Sequence, residues 1–288
     1  MLYGIDISSW QSGISIASVP SDFVIVKATE GTGYISPSFY DQANQTLDSG
    51  KLLGLYHFAG TGSAYDEADF FVDSSQDFID NAALFLDYEA DALNNGSEWA
   101  YYFLSRVQER TGHLPGVYMS KTVCNSQDWT WCVDAGYPLW VAQYASNNSM
   151  GYVDDPWTDG SGYGAWDSPT LFQYTSSGNL DGYSGNLDLN LFYGDRDYWI
   201  QLFCGGNAMD FNGVWFDEAL NDEKSPAYQS LTTPGNLLWE TAVEVENNKN
   251  KLAEIEQKLD NLQVNGASVD YNKLAKAVCD ELVERLKA

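Results

Sequence analysis

Ala83-Leu84-Phe85-Leu86-Asp87-Tyr88-Glu89 is the stretch on which the reading of this chain turns. Four apolar residues run unbroken into two carboxylates separated by one aromatic. An unbroken apolar run of this length fits a strand buried on both faces, as in a parallel sheet covered by helices. Side chains alternate along a strand, so Asp87 and Glu89 point to the same side. Outward from it, similar segments fall at 2–5, 23–28, 52–58, 115–119, 139–143, 170–174 and 187–192, with 83–88 as the fourth of eight. Helical patterns follow several of them, at 36–49, 64–80 and 96–111. Eight strands alternating with helices predict an α/β fold, a β/α barrel smaller than the roughly 250 residues typical of the full form. Too little sequence separates the later strands for full helices, so that side of the barrel is expected to be helix-poor.

Chemistry in such barrels sits at the C-terminal ends of the strands. Here those ends are acidic and aromatic: Asp6; Lys27-Ala-Thr-Glu30; Tyr56-His57-Phe58; Asp87-Tyr88-Glu89; Trp140-Val-Ala-Gln143-Tyr144; Gln173-Tyr174; and Asp188-Leu-Asn190. Asp6, Asp87, Glu89 and Asp188 would converge on one mouth and repel each other, raising at least one pKa. A protonated carboxylic acid beside ionised ones suits glycoside hydrolysis, with Trp and Tyr as sugar-stacking surfaces. Tyr56, His57, Glu30, Trp140, Gln143 and Tyr174 are the candidate substrate-binding residues. His57 has two readings, a satisfied core histidine or a cavity residue. Asp66, Glu67, Asp69, Asp73 and Asp77 lie on a helical pattern and read as a solvated face, and Trp129 and Trp131 read as packing residues.

The chain has 288 residues, with 14 Lys+Arg against 41 Asp+Glu and a net charge of −27. That balance argues against nucleic-acid binding, whose affinity comes from basic side chains on phosphates. No apolar run is long enough to span a membrane, and the first residues lack the pattern of a secretory signal peptide. Cys124, Cys132, Cys204 and Cys279 form no CxxC pair, and with only two histidines no metal site is expected. Cys124 and Cys132 are near enough in sequence to pair, but reduced thiols are the expectation without an export signal.

Residues 1–197 hold 26 acidic and 6 basic side chains, whereas 237–288 hold 10 and 7, and this shift marks a boundary. Between them, 198–236 is rich in turn and linker chemistry. Leu238, Val245, Leu252 and Leu259 recur every seven residues, with Thr241, Asn248, Ile255 and Leu262 on the second seam position. This heptad predicts a short coiled coil and homo-oligomerisation through 237–288. A second amphipathic helix follows Gly266.

Taken in order, Gly4-Ile-Asp6-Ile-Ser8-Ser-Trp10-Gln11, Phe23-Val-Ile-Val-Lys27-Ala-Thr-Glu30-Gly31, Gly54-Leu-Tyr56-His57-Phe58, Leu86-Asp87-Tyr88-Glu89, Trp140-Val-Ala-Gln143-Tyr144, Leu171-Phe-Gln173-Tyr174 and Asp188-Leu-Asn190-Leu-Phe192 resemble glycoside hydrolase family 25. These are the lysozymes (N-acetylmuramidases) common among bacteriophage endolysins. The resemblance implies a flattened barrel of five β/α units and three further strands, with Glu89 as general acid and Asp6, Asp87 and Asp188 completing the acidic set. It implies hydrolysis of the β-1,4 bond from N-acetylmuramic acid to N-acetylglucosamine in peptidoglycan, with no cofactor. Two routes stay open: attack by the substrate's own acetamido oxygen assisted by Asp87, or water activated by Asp188 or Asp6. It also implies a phage lysin held in the host bacterial cytoplasm until it reaches the cell wall, without inserting in a membrane and with a holin-type partner for access. The competing expectation is a virion-associated or surface adhesin that binds glycan without cleaving it.

Overall fold

The structure, a computed structural model, describes residues 1–204. The expected coiled coil at 237–288 and most of the linker at 198–236 lie outside the described residues. Nine strands form among the described residues: β1 Leu2–Ile7, β2 Phe23–Glu30, β3 Tyr34–Ile35, β4 Leu52–Phe58, β5 Ala82–Asp87, β6 Gly116–Ser120, β7 Leu139–Ala142, β8 Leu171–Gly178 and β9 Leu187–Phe192. The helices are α1 Phe39–Asp48, α2 Ala64–Ser75, α3 Ser97–Thr111, α4 Lys121–Ser126, α5 Thr130–Asp134 and α6 Arg196–Phe203.

The sheet runs β1-β9-β8-β7-β6-β5-β4-β2-β3, and a further β1–β2 pairing closes eight of its strands into a barrel. β3 stands outside the ring as a short antiparallel hairpin on β2. The pairings among β1, β2, β4, β5, β6, β7 and β8 are parallel, and β9 runs antiparallel to both of its neighbours, β8 and β1. β1 is followed by 3-10 turns and β2, β4, β5 and β6 by α-helices, whereas β7, β8 and β9 follow one another with none between them. The helix-poor side falls where the sequence places it.

Two apolar layers result from the alternation of each strand. Ile5, Ile7, Val24, Val26, Leu53, Leu55 and Leu84 face outward onto helices such as α2 and α3. Phe23, Ile25, Leu52, Ala83, Phe85, Trp140 and Leu171 fill the interior. Room for the interior rings comes from missing side chains: a Cβ on Gly4 would stand 2.3 Å from the Phe23 ring, and one on Gly116 2.7 Å from Phe85. α6 completes the barrel's interior, since Trp199 and Phe203 are fully buried and pack on Phe23, Phe85 and Phe192. The barrel therefore continues past the expected boundary at 197, because its interior needs these two rings. On the outer surface, Arg106 and Arg110 of α3 pair with Asp69, and Arg110 also with Asp73. Exposed pairs of this kind contribute little individually.

Candidate active site

A cavity of about 370 Å³ opens at the C-terminal ends of the parallel strands, and all four predicted carboxylates line it. Alternation within β1 turns Asp6 inward, between the outward Ile5 and Ile7, and register places it directly opposite Asp188 on β9. Asp87 ends β5 and Glu89 follows it on the same side. Immediately afterwards Ala90 adopts φ +52°, the only positive φ at a non-glycine among the described residues. A left-handed alanine costs about 1–2 kcal/mol, and this strain sits where the chain turns away from the Glu89 carboxyl.

The four groups have different surroundings. Oδ2 of Asp6 accepts from Nε2 of Gln173 and from Nδ2 of Asn190, both at 2.7 Å. Those amides are themselves oriented: Tyr118 and Tyr144 donate to Oε1 of Gln173, and the Trp140 indole N–H donates to Oδ1 of Asn190. Burial pushes Asp6 up, the two amide donors pull it down, and the result is about 6. Among the described residues Asp188 has no such side-chain donors, and burial followed by repulsion from Asp6 and Glu89 pushes it to about 8. Asp87 is raised well above the carboxylate range by burial and by the charges of Glu89 and Asp6, and its buried Oδ1 has no partner among the described residues. Burial also raises Glu89, against the opposing pull of Lys27. Lys27 is the one basic side chain lining the cavity, 2.6 Å from Glu30 and packed over the Phe58 ring.

The Asp188 shift has a stability consequence. Its carboxyl titrates at an ordinary 3.8 when unfolded and at about 8 when folded, so the folded state holds the proton more tightly. Stability is then fullest below about pH 4 and declines as the pH rises towards 8. Asp188→Asn removes that decline. With allowance for the solvent in the cavity, the variant gains about 1–2 kcal/mol over the unsubstituted protein at pH 8 and nothing at pH 4. Thermal melts at the two pH values check this, and an equal difference at both contradicts it.

Among the candidate binding residues, Tyr56 and Trp140 line the cavity, with Trp140 buried as part of its wall and its N–H already engaged. Glu30 stands outside the lining and reaches it only through Lys27. Two expectations are corrected, and of the two readings of His57 the structure takes the core one. His57 is completely buried on the outer face of β4, stacked on Phe103, with Nδ1 2.8 Å from the Thr29 hydroxyl and Nε2 3.0 Å from Glu67. Tyr174 is buried on the outer face of β8, where its hydroxyl accepts from the amide of Val153. Gln143 lies outside the lining and anchors the following loop, donating to Asp159 and accepting from Thr158 and the Asp159 amide. Lys121 holds the same loop at 2.7 Å from Asp159.

Glu67 also departs from its expected solvated face. It is buried, and its two oxygens accept from the amides of Gly60 and Gly62 at 2.7 and 2.8 Å. Burial alone would raise it, but His57 and these amides outweigh that and hold it below the usual range. His57 is lowered by burial despite Glu67. The pair is thus a carboxylate accepting from a neutral imidazole, whose Nδ1 accepts from Thr29. Cavity residues not singled out as site candidates in the sequence include Gln173, Tyr118, Tyr144, Lys27 and Trp10. Gln173 was legible as the inward neighbour of Tyr174, since position parity separates the two. Cys124 and Cys132 are buried free thiols.

A closed β/α barrel with four carboxylates at the strand ends, two of them two residues apart, defines the class: a barrel glycoside hydrolase. The profile of glycosyl hydrolases family 25 matches residues 5–183. Lysozyme M1 of Streptomyces globisporus is 32% identical over 217 residues, covering 69% of this chain and 70% of its own. The N,O-diacetylmuramidase of a Chalaropsis species is 29% identical over 231 residues, covering 70% of this chain and 99% of its own. Among solved structures, the bacterial lysozyme from Streptomyces coelicolor superposes with a TM-score of 0.55 at 25% identity, covering 71% of this chain and 97% of that one. The chain belongs to glycosyl hydrolases family 25 and is a glycoside hydrolase. Asp188 lies just beyond the matched span, so its place in the site rests on the barrel register.

Proposed function

We propose that the protein is a peptidoglycan N-acetylmuramidase in which Glu89 is the general acid and Asp87 assists the substrate's acetamido group. The observation that carries this is the contrast in surroundings. Asp6 is held by two amide donors, whereas no hydrogen bond among the described residues reaches the half-buried Glu89 carboxyl. A carboxyl without donors keeps its proton more readily; Asp87 and Asp188 share that lack, and the resemblance to family 25 assigns to Glu89 the donation to the leaving glycosidic oxygen. As that bond breaks, the acetamido oxygen closes on the anomeric carbon and the N–H becomes more positive. Asp87, poorly stabilised as an anion in the free cavity, gains most when that positive charge forms, which is stabilisation specific to the transition state. Water then opens the ring at the anomeric carbon and returns a proton to Glu89. Two displacements at one carbon retain its configuration.

NMR of the product during the first minutes of digestion tests this route. The β-anomer is expected first. Initial appearance of the α-anomer would instead assign water activation to Asp188 or Asp6.

The wider biology in this reading is a phage endolysin that waits in the host cytoplasm and reaches the wall with a holin-type partner. What supports it is the sequence resemblance to endolysins together with a heptad pattern at 237–288, which would multiply catalytic barrels on a polymeric substrate and raise avidity. Light scattering before and after deletion of 237–288 tests that part: loss of an oligomer supports it, and a full-length monomer overturns it.

A further inference from the structure

Trp10 lines the catalytic cavity, yet its surface is 89% exposed, the largest exposure of any bulky apolar residue among those described. Its backbone is held firmly. The Ser8 hydroxyl accepts from the Trp10 amide at 3.2 Å, and Oε1 of Gln11 accepts from the Ser8 amide at 3.1 Å, a reciprocal cap on a single 3-10 turn. From beneath, the fully buried Gln42 of α1 donates to the Ser8 carbonyl at 2.9 Å and to the Gln11 carbonyl at 3.4 Å. The turn's cap, Ser8, is two residues after Asp6, so the turn sits on the lip of the cavity beside the carboxylates.

A rigid backbone that presents a bare indole at the edge of a saccharide cavity is a preorganised surface. The face of a pyranose ring carries C–H groups, and covering an indole with it removes apolar area from water at little entropic cost to the protein. We infer that Trp10 is the stacking platform for a sugar ring of the glycan strand outside the pair that flanks the cleaved bond. The inference rests on the muramidase reading for the identity of the strand. It makes Trp10 a binding residue for strand length, contributing to affinity for polymer more than to bond cleavage.

The test uses full-length protein carrying Glu89→Gln, so that bound strands stay intact, and peptide-free glycan strands of alternating N-acetylglucosamine and N-acetylmuramic acid. Titration calorimetry is expected to give a Kd about tenfold lower for an octasaccharide than for a tetrasaccharide. Adding Trp10→Ala should abolish that length dependence, and Trp10→Phe should restore part of it. An unchanged length dependence in the Trp10→Ala protein overturns the inference, as does equal binding of both strands by the Glu89→Gln parent. Cleavage by the unsubstituted protein is scored separately. Binding that depends on Trp10 without cleavage would refute the muramidase reading while leaving the platform in place.

Discussion

Glu89→Gln should leave the barrel folded and lower kcat on peptidoglycan by roughly a thousandfold, within the range of 10²–10⁴ for loss of a general acid. Glutamine has the shape of glutamic acid and cannot release a proton to the leaving oxygen. The exchange costs little stability, because no hydrogen bond among the described residues depends on the Glu89 carboxyl and burial already disfavours its charge. At the transition state the loss corresponds to about 4 kcal/mol. Circular dichroism and initial rates of clearing, measured together, check both halves. A variant that keeps more than a tenth of the activity would remove Glu89 from the role of acid and pass it to Asp188, whose carboxyl burial and the charges of Asp6 and Glu89 push to about 8.

Glu67→Ala carries the largest expected effect on stability. Its carboxylate is buried and serves three donors, the imidazole of His57 and the amides of Gly60 and Gly62. Alanine leaves the buried imidazole N–H and two amides at the edge of the site unpaired, for which a loss of about 3–5 kcal/mol is expected. For a barrel of this size that lowers Tm by about 6–15 °C. The damage also reaches the active site. Gly60 and Gly62 belong to the loop between β4 and α2, and their carbonyls accept from Asn95 and Trp99, just beyond the turn that carries Glu89. Glu67→Gln, which keeps the bulk and one acceptor, should lose less than half as much. Denaturant melts decide the point, and a loss under 1 kcal/mol for Glu67→Ala would show that water replaces the carboxylate.

Much of the barrel is legible in the sequence because its strands are apolar on both faces and its helices are amphipathic. The segments at 52–58 and 187–192 coincide with β4 and β9. The short α4, α5 and α6 are too brief for periodicity to show, and α6 lies past the composition change that suggests a boundary. The acidic set follows from strand-end position and parity, which place Asp6, Asp87, Glu89 and Asp188 on one side. Where parity was set aside the reading failed: Tyr174 is aromatic and near the right end, but it sits at an outward position, and the same parity decides between the two readings of His57 in favour of the core. Glu67 shows a different limit, since nothing in a helical acidic pattern distinguishes the one carboxylate that meets a buried imidazole from its solvated neighbours. Trp10 lies in a turn, where neither period gives a direction.

The net charge also acquires a location. Of the 26 acidic side chains in residues 1–197, four line the cavity. Burial first, and their mutual repulsion second, keep a proton on Asp188 up to about pH 8. The remaining acids surround the barrel with a negative field.

Mass spectrometry of the fragments released from purified peptidoglycan tests the central claim most directly. Soluble glycan fragments whose reducing ends are N-acetylmuramic acid are expected, and none when Glu89→Gln protein is used. Fragments ending in N-acetylglucosamine, or binding to the wall with no fragments released, would contradict it.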